Sequence, residues 1–91
     1  MRLDKFLKVS RLIKRRALAK EVCDQGLVTV NGRPAKAGTP VSPGDIVRVR
    51  LGSRNLHFEV LRPDEHVPAK AAADLYRLLD NGMEAGRGDN R

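Results

Sequence analysis

The chain has 91 residues, a single cysteine and a formal net charge of +7, and these properties exclude several classes of protein. A chain this short forms one small domain with a modest core, which leaves no room for an enzyme that carries its own substrate domain. One cysteine cannot form an internal disulfide, and no apolar run is long enough for a signal peptide or a membrane span, so the expected location is the cytoplasm, away from any membrane.

The positive charge is concentrated at the start of the chain. Residues 1–20 contain eight Lys or Arg and one acid, Asp4, whereas residues 21–91 contain ten bases and ten acids. A local basic surface followed by an electrically balanced body is typical of nucleic-acid-binding proteins. The alternative, a solvated face that keeps the protein in solution, usually interleaves charges of both signs. The charge pattern therefore favours nucleic-acid binding.

The first predicted element is a short amphipathic helix. Apolar and small residues recur there at helical spacing over about two turns. The residues of this inner arc are Leu3, Phe6, Leu7 and Ser10. Residues 11–13 are expected to end the helix, and their two apolar side chains should anchor the turn that follows.

A second helix is predicted from about Lys14 to Gln25, with Gly26 as its left-handed C-terminal cap. Its inner stripe is expected to consist of Leu18, Ala19, Val22 and Cys23. Arg15 and Arg16 open this helix, where unbonded backbone N–H groups and the helix dipole attract anions. Because arginine can hold a phosphate with two hydrogen bonds, the start of the helix is a candidate phosphate site.

Residues 27–61 are predicted to form short strands. The first covers residues 27–30 and ends at Asn31-Gly32, a strong hairpin-turn signal, and residues 35–37 are a candidate for a short return strand. After a turn at residues 43–45, two segments alternate between apolar and polar residues.

The two alternating segments are residues 46–51 and 56–61, joined by a hairpin loop at residues 52–55. Their alternation predicts one face that is exposed and polar. The residues expected on that face are Arg48, Arg50, His57 and Glu59. A mixed polar face lacks the apolar patch of a stable protein interface, so the pattern does not favour a protein-interaction module.

A third helix is predicted from about Ala69 to Leu79, and residues 82–91 lack apolar content and are typical of a disordered tail. The expected organisation is therefore an RNA-binding domain at residues 1–62, a C-terminal extension with a helix at residues 63–81, and the tail.

No group of residues suggests an active site or a metal site. His57 and His66 have no partner at metal-ligand spacing, and the adjacent Asp64 and Glu65 are typical of a turn. We therefore expect no catalytic residues, no metal and no cofactor, and a protein that is not an enzyme. The three aromatic residues are too few for base stacking by exposed rings. The expected target is folded RNA or a duplex, contacted through phosphates and shape.

Several motifs together resemble the S4-type RNA-binding domain, which combines an αα-hairpin with a small twisted sheet. They are Arg2-Leu3-Asp4-Lys5-Phe6-Leu7, Ser10-Arg11, Arg15-Arg16 with Ala19, Gly26-Leu27-Val28-Thr29-Val30-Asn31-Gly32, Lys36, and Val41-Ser42-Pro43-Gly44-Asp45. The resemblance covers about residues 1–50. It implies an α+β, S4-like (alpha-L) fold with a two-helix hairpin on a small antiparallel sheet, followed here by the C-terminal helix and tail.

The whole chain, through the third predicted helix, is similar to the stand-alone bacterial RqcP family, also called YabO. Residues 1–16 and 19–26 follow the pattern of that family throughout. A more distant resemblance is to the fifteen-kilodalton bacterial heat-shock protein that binds free large ribosomal subunits carrying a nascent chain.

The resemblance to RqcP implies a role in ribosome-associated quality control. Members of that family bind a large (50S) ribosomal subunit that still holds peptidyl-tRNA, contact its 23S rRNA and the tRNA, and act with the partner RqcH. They support alanine tailing, the addition of alanine without a template, by positioning peptidyl-tRNA in the P site. The protein itself is expected to be a monomer.

Nine residues are candidates for RNA binding: Arg2, Lys5, Lys8, Arg11, Lys14, Arg15, Arg16, Lys20 and Lys36. The resemblance carries over five of them by position, namely Arg2, Arg11, Arg15, Arg16 and Lys36, and the basic helical pattern adds the rest. The resemblance implies that Asp4 orients nearby arginines and does not itself bind RNA.

Two other functions are compatible with the sequence. One is a generic rRNA-binding factor of ribosome assembly or heat-shock recycling. The other is an accessory RNA-binding domain for an RNA-modifying enzyme that is encoded separately.

Overall fold

The computed structural model describes residues 1–64 and 66–79, and it confirms the predicted α+β fold, with two helices and a five-stranded antiparallel sheet. In chain order the elements are α1 (Leu3–Val9), α2 (Arg16–Asp24), β1 (Val28–Val30), β2 (Arg33–Pro34), β3 (Ile46–Leu51), β4 (Arg54–Val60), a 3₁₀-helix (Ala69–Leu75) and β5 (Tyr76–Leu78). The strands lie in the order β2-β1-β3-β4-β5. The predicted tail at residues 82–91 lies outside the described residues.

Helix α1 begins without a side-chain cap. Its first N–H groups are bonded by a distant loop instead: Leu3 donates to the carbonyl of Thr39 at 2.8 Å, and Asp4 donates to that of Ala37 at 3.1 Å. Residues 35–41 therefore lie across the start of α1 and satisfy groups that a helix leaves unbonded at its N-terminus.

The predicted end of the second helix is confirmed. Gly26 has a φ of +76°, the left-handed conformation that glycine adopts without steric cost. The N–H of Gly26 donates to the Cys23 carbonyl, and that of Leu27 donates to the Val22 carbonyl, both at 3.0 Å. This pair of bonds is a Schellman motif, which turns the chain directly into β1.

The predicted turn at Asn31-Gly32 is also confirmed. Both residues have positive φ values, 54° and 83°, as a type I′ hairpin requires. The return strand differs from the prediction, because β2 consists of Arg33–Pro34 and not of residues 35–37. A two-residue I′ turn leads straight into pairing of Val30 with Arg33, so the return strand must begin directly after Gly32.

Two phenylalanines join the helices to the sheet. Phe6 of α1, which was predicted on the inner arc, and Phe58 of β4 are both fully buried, and their rings are stacked with centroids 6.0 Å apart. Phe58 also meets Tyr76 of β5 in an edge-to-face contact at 5.8 Å. The core therefore runs from α1 through the central strands to the last strand.

The predicted third helix is wrong in its second half. The chain is a 3₁₀-helix over Ala69–Leu75 and then becomes a strand that pairs with β4. The carbonyl of buried Leu75 accepts hydrogen bonds from Leu61 and Arg62, which ends the helical turn. Pairing of Tyr76 with Val60 then completes the edge of β4, and this tertiary pairing overrides the helical propensity of the alanine-rich segment.

Two predicted side-chain positions are also wrong. Leu18 was expected in the core but is 41% exposed, because α2 packs along the narrower stripe of Ala19, Val22 and Cys23. His57 was expected on the exposed face but is buried. It lies on β4, which is paired on both sides, and its carbonyl accepts the N–H of Leu79.

The β3–β4 hairpin is tighter than predicted. Residues 52–55 were expected to form the loop, but Arg54 and Asn55 already pair with Leu51 and Arg50, so only Gly52 and Ser53 form the turn. At its other end β4 stops at Val60, one residue before the predicted end.

Candidate nucleic-acid interface

Most of the nine predicted RNA-binding residues are exposed around the two helices. Lys5 and Lys8 are half-buried on α1, and the others are exposed. Arg11 lies in the turn after α1, with a φ of 66°. Lys14 and Arg15 lie just before α2, with Arg15 as its N-cap residue, and Arg16 is the first helical residue. The turn between the helices therefore presents a run of bases to solvent.

Asp4 brings two of the predicted residues together. Its carboxylate is 3% exposed and accepts hydrogen bonds from Arg2, which precedes α1, and Arg16, which begins α2. The distances from Asp4 to Arg2 are 3.2 Å (Nε to Oδ1) and 3.4 Å (Nη2 to Oδ2). The distances to Arg16 are 3.4 Å (Nε to Oδ2) and 3.5 Å (Nη2 to Oδ1). We call these three residues the Arg2–Asp4–Arg16 cluster.

The two guanidinium groups of the cluster keep part of their surface in solvent. The side chains of Arg2 and Arg16 are 54% and 48% exposed. A guanidinium has five N–H donors, and each of these arginines uses two of them on Asp4, so three on each remain for another acceptor. One buried negative charge thus orients two positive groups, and the cluster as a whole stays cationic.

The arginines also control the ionisation of Asp4. Burial alone would raise the pKa of the Asp4 carboxyl, but the hydrogen bonds and positive charges of Arg16 and Arg2 outweigh it and hold the pKa below its usual value of 3.8. Asp4 is therefore ionised at neutral pH, as an acceptor of four N–H bonds must be.

The loop that caps α1 places Lys36 beside the cluster. Lys36 is exposed and precedes Ala37, whose carbonyl accepts the N–H of Asp4 at 3.1 Å. The loop is held in a turn, because the Lys36 N–H donates to Thr39 Oγ1 at 2.9 Å. Three segments that are far apart in the sequence thus meet at the start of α1.

Lys20 is arranged differently from the arginines. Its Nζ lies 3.1 Å from Asp24 Oδ2, one turn further along α2, and both side chains are more than half exposed. An exposed ion pair of this kind contributes little to stability and is screened by salt. Asp24 neutralises much of the charge that Lys20 would offer to RNA.

Sequence reasoning gave no role to four exposed arginines of the sheet. Arg33, Arg48, Arg50 and Arg54 form no ion pair with any residue in the described part of the chain. The alternation of β3 already placed Arg48 and Arg50 on an exposed face. Because the net charge of residues 21–91 is zero, these arginines did not stand out as a basic site. The exposure of Leu18 was also missed, because the spacing of this residue in the sequence matches the buried stripe of α2.

Cys23 offers no reactive thiol. Burial, together with the negative charges of Asp4 and Asp24, raises the pKa of this cysteine to about 11, so the thiol stays protonated at neutral pH. Within residues 1–64 and 66–79, no three His, Cys, Asp or Glu side chains are grouped as a metal site would need. Over the same residues, no helix combines the length and hydropathy needed to cross a membrane.

Comparisons with known proteins agree with this geometry. A family model of the S4 domain matches residues 1–47. The chain is 56% identical over 78 residues to the RQC P-site tRNA stabilizing factor of Halalkalibacterium halodurans, which covers 86% of this chain and 89% of that protein. It is 52% identical over 79 residues to the factor of the same name from Bacillus subtilis, covering 87% and 92% of the two chains.

The heat shock protein 15 group is a more distant relative. A homologue from Aeromonas salmonicida is 35% identical over 85 residues, which cover 93% of this chain and 62% of that protein. The solved structure of Vibrio cholerae heat shock protein 15, described as trimeric, superposes with a TM-score of 0.82 at 30% identity and covers 90% of this chain and 84% of the other.

Proposed function

The chain belongs to the family of RQC P-site tRNA stabilizing factors and carries an S4 domain, and on this premise we propose that it is a cytoplasmic, non-catalytic RNA-binding factor of ribosome-associated quality control. It binds large ribosomal subunits that hold peptidyl-tRNA after a stall and keeps that tRNA in the P site. With RqcH, it supports the non-templated alanine tailing of the nascent chain.

One observation carries the RNA-binding part of the proposal: two arginines, one just before α1 and one at the start of α2, share one buried carboxylate. Side-chain ordering is a large cost of binding for a long residue such as arginine. Because Asp4 already holds Arg2 and Arg16, most of that cost is met in the free protein. The pair is therefore suited to a rigid, folded RNA whose phosphates have fixed positions.

The other predicted RNA-binding residues extend this contact. Arg11, Lys14 and Arg15 continue the positive surface along the turn between the helices, and Lys36 approaches from the loop. The remaining candidates, Lys5, Lys8 and Lys20, lie on the helices themselves. We assign these residues to the phosphate backbone of ribosomal RNA and tRNA, and Asp4 to positioning Arg2 and Arg16.

The decisive experiment removes the negative charge of Asp4. Asp4→Asn raises the net charge of the protein, so binding that depended only on charge would become tighter. If Asp4 orients the two arginines, RNA binding should instead weaken by about tenfold or more, which corresponds to the loss of one charge-assisted contact. The measurement is co-sedimentation of the purified protein with large ribosomal subunits at fixed salt.

Asp24→Asn is the matched control for this experiment. It removes one negative charge from an exposed acid whose single ion pair among the described residues is with Lys20, and we expect it to leave binding unchanged or slightly tighter. Equal behaviour of the two variants would mean that Asp4 does not position the arginines for RNA.

A second experiment tests the quality-control role. If the protein contacts both ribosomal RNA and peptidyl-tRNA, it should bind large subunits with an occupied P site at least tenfold more tightly than empty ones, because the second contact avoids a second association cost. Co-sedimentation with both kinds of subunit measures this ratio. Adding RqcH to a tailing reaction with stalled subunits then tests the partnership.

The structural likeness to heat shock protein 15 favours one alternative, a general factor that binds rRNA during subunit recycling. That function predicts equal affinity for empty and occupied subunits. The heat shock protein structure is described as trimeric, whereas a monomer is predicted from the sequence of this chain. Sedimentation equilibrium of the purified protein measures which state applies.

A further inference from the structure

Three acids in the second half of the domain already have local partners. Glu59 pairs with Arg77, and Asp64 pairs with Arg62. Asp45 accepts hydrogen bonds from the Asn31 side chain and the Ser42 N–H, at 3.1 and 2.8 Å. The electrical balance of residues 21–91 therefore does not mean that every base there is neutralised.

Three of the unpaired bases lie on one hairpin. Arg48 and Arg50 are on β3 and Arg54 is on β4, and all three are exposed. No acid occurs anywhere in residues 46–58. The residues paired across the strands are also not acidic, since Arg48 lies between Thr29 and His57, and Arg50 lies opposite Asn55. We call these three arginines the hairpin arginines.

Protection of a sheet edge does not explain Arg48 and Arg50. Charged residues often lie on edge strands, where they prevent pairing with other chains. At Arg48 and Arg50, β3 is bonded on both sides, to residues 27–29 and to β4, so these two arginines do not lie at an edge, whereas Arg54 lies on a part of β4 that pairs with β3 alone. Arg48 and Arg50 share one face of β3 with no acid directly across from either, which is unfavourable in the free protein, and Arg54, opposite Leu51, projects from the other face at the hairpin tip. This arrangement points to an anionic partner.

The hairpin lies at the opposite end of α2 from the Arg2–Asp4–Arg16 cluster. The Arg50 N–H donates to the carbonyl of Leu27 at 3.0 Å, just after the Schellman motif that ends α2. Arg16 is the first of the nine residues of that helix, and nine residues span about 13 Å along a helix axis. The hairpin arginines are thus separated from the cluster by the length of α2.

The spacing of the hairpin arginines suits the backbone of a nucleic acid. Residues two apart on a strand, such as Arg48 and Arg50, project from the same face about 6.6 Å apart, a spacing comparable to that of successive phosphates. Ser53 and Asn55 are exposed beside them and add hydrogen-bonding groups at the hairpin tip. The hairpin therefore combines separated positive charges with polar donors and lacks an apolar surface.

We propose that the β3–β4 hairpin is a second RNA-contact site, which binds a phosphate backbone through Arg48, Arg50 and Arg54 at a different place from the Arg2–Asp4–Arg16 cluster. This inference rests on the proposed function in that its partner is RNA of the large ribosomal subunit or its tRNA. Two separated contacts on one rigid domain would allow the protein to bridge two RNA segments and hold them at a fixed distance.

The test compares two double variants that lose the same charge. Arg50→Gln with Arg54→Gln removes two hairpin arginines, and Arg33→Gln with Lys70→Gln removes two exposed bases elsewhere. Binding to large subunits carrying peptidyl-tRNA is measured by co-sedimentation over a range of salt concentrations. We expect the hairpin variant to bind at least tenfold more weakly, while the control variant loses little affinity. The slope of the logarithm of the binding constant against the logarithm of the salt concentration should become shallower by about two in the hairpin variant.

Two further measurements keep the outcome clear. Arg50→Lys with Arg54→Lys keeps the charge, so it should retain the salt slope. Purified ribosomal RNA is a second probe, and a loss seen with intact subunits but absent with RNA would assign the hairpin to an acidic protein surface and overturn the proposal. Equal losses for the hairpin and control variants would also overturn it.

Arg16→Gln, measured in parallel, separates this proposal from the proposed function. If Arg16→Gln weakens binding and the hairpin variant does not, the hairpin proposal fails and the RNA-binding function stands. If Arg16→Gln has no effect, the proposed role of the cluster fails, whatever the hairpin variant shows. Thermal unfolding of each variant verifies that all of them are folded.

Discussion

The helical half of the domain and the β3–β4 hairpin both expose arginines, but of these two regions only the helical half holds arginines on an acid. Arg2 and Arg16 share a buried acid that sets the direction of both side chains, whereas Arg48, Arg50 and Arg54 extend from the sheet without any acidic partner in the described part of the chain. We therefore expect arginines of equal charge to contribute unequally to RNA binding. A held arginine loses little freedom when it meets a phosphate, while a free one must be ordered at that moment.

The largest expected effect comes from separating the two halves. Phe58→Ala removes the ring that packs against both Phe6 and Tyr76, and such a change in a core costs roughly 3–5 kcal/mol of unfolding free energy. In a domain of this size that loss should leave much of the protein unfolded. Urea unfolding, followed by circular dichroism, measures it.

Leu18→Ala is the control for this stability measurement. Because Leu18 is exposed, we expect a change within about 0.5 kcal/mol, as is usual for surface positions. A loss as large as that of Phe58→Ala would show that Leu18 is in the core, as the helical spacing alone suggested.

The next largest effect compares two neighbouring arginines at the start of α2, one bonded to an acid and one not. Arg16 is bonded to Asp4, whereas Arg15 precedes it and is exposed without an ion pair to any described residue. Each substitution removes one positive charge, but we expect Arg16→Gln to weaken binding to large subunits by about ten- to a hundredfold and Arg15→Gln by less. Equal losses in co-sedimentation would mean that charge alone matters and that the buried acid adds nothing.

The smallest expected effect is on the pH dependence of stability. The pKa of Asp4 is lower in the folded protein than its ordinary 3.8, so its ionised form stabilises the fold. That contribution is complete well above pH 3.8 and is lost as the pH falls below 3.8 through the folded value. The difference in unfolding free energy between the protein and Asp4→Asn should therefore be constant near neutrality and shrink in acid. A difference that grows in acid would contradict this account.

Local signals in the sequence were enough to place most of the elements. The apolar spacing of α1, Gly26 as a helix cap, the Asn31-Gly32 turn and the alternation of β3 all depend on neighbouring residues, and the structure confirms each. Arg15 and Arg16 were likewise expected at the opening of the second helix, although α2 begins at Arg16 and not at about Lys14. Such features depend on backbone conformations and side-chain periods that a few consecutive residues determine.

The sequence by itself therefore determined the fold class, the two helices and the cationic character of the N-terminal half. Only the tertiary structure decided that residues 76–78 form a strand, because β4 gains a pairing partner there that outweighs local helical propensity. It also decided that Leu18 is exposed, since the width of the buried stripe on α2 depends on what packs against it. Above all, it brought Arg2 and Arg16 onto one carboxylate and the carbonyls of Ala37 and Thr39 onto α1. These contacts join residues that are distant in the chain, so their formation depends on how the helices and the loop pack together.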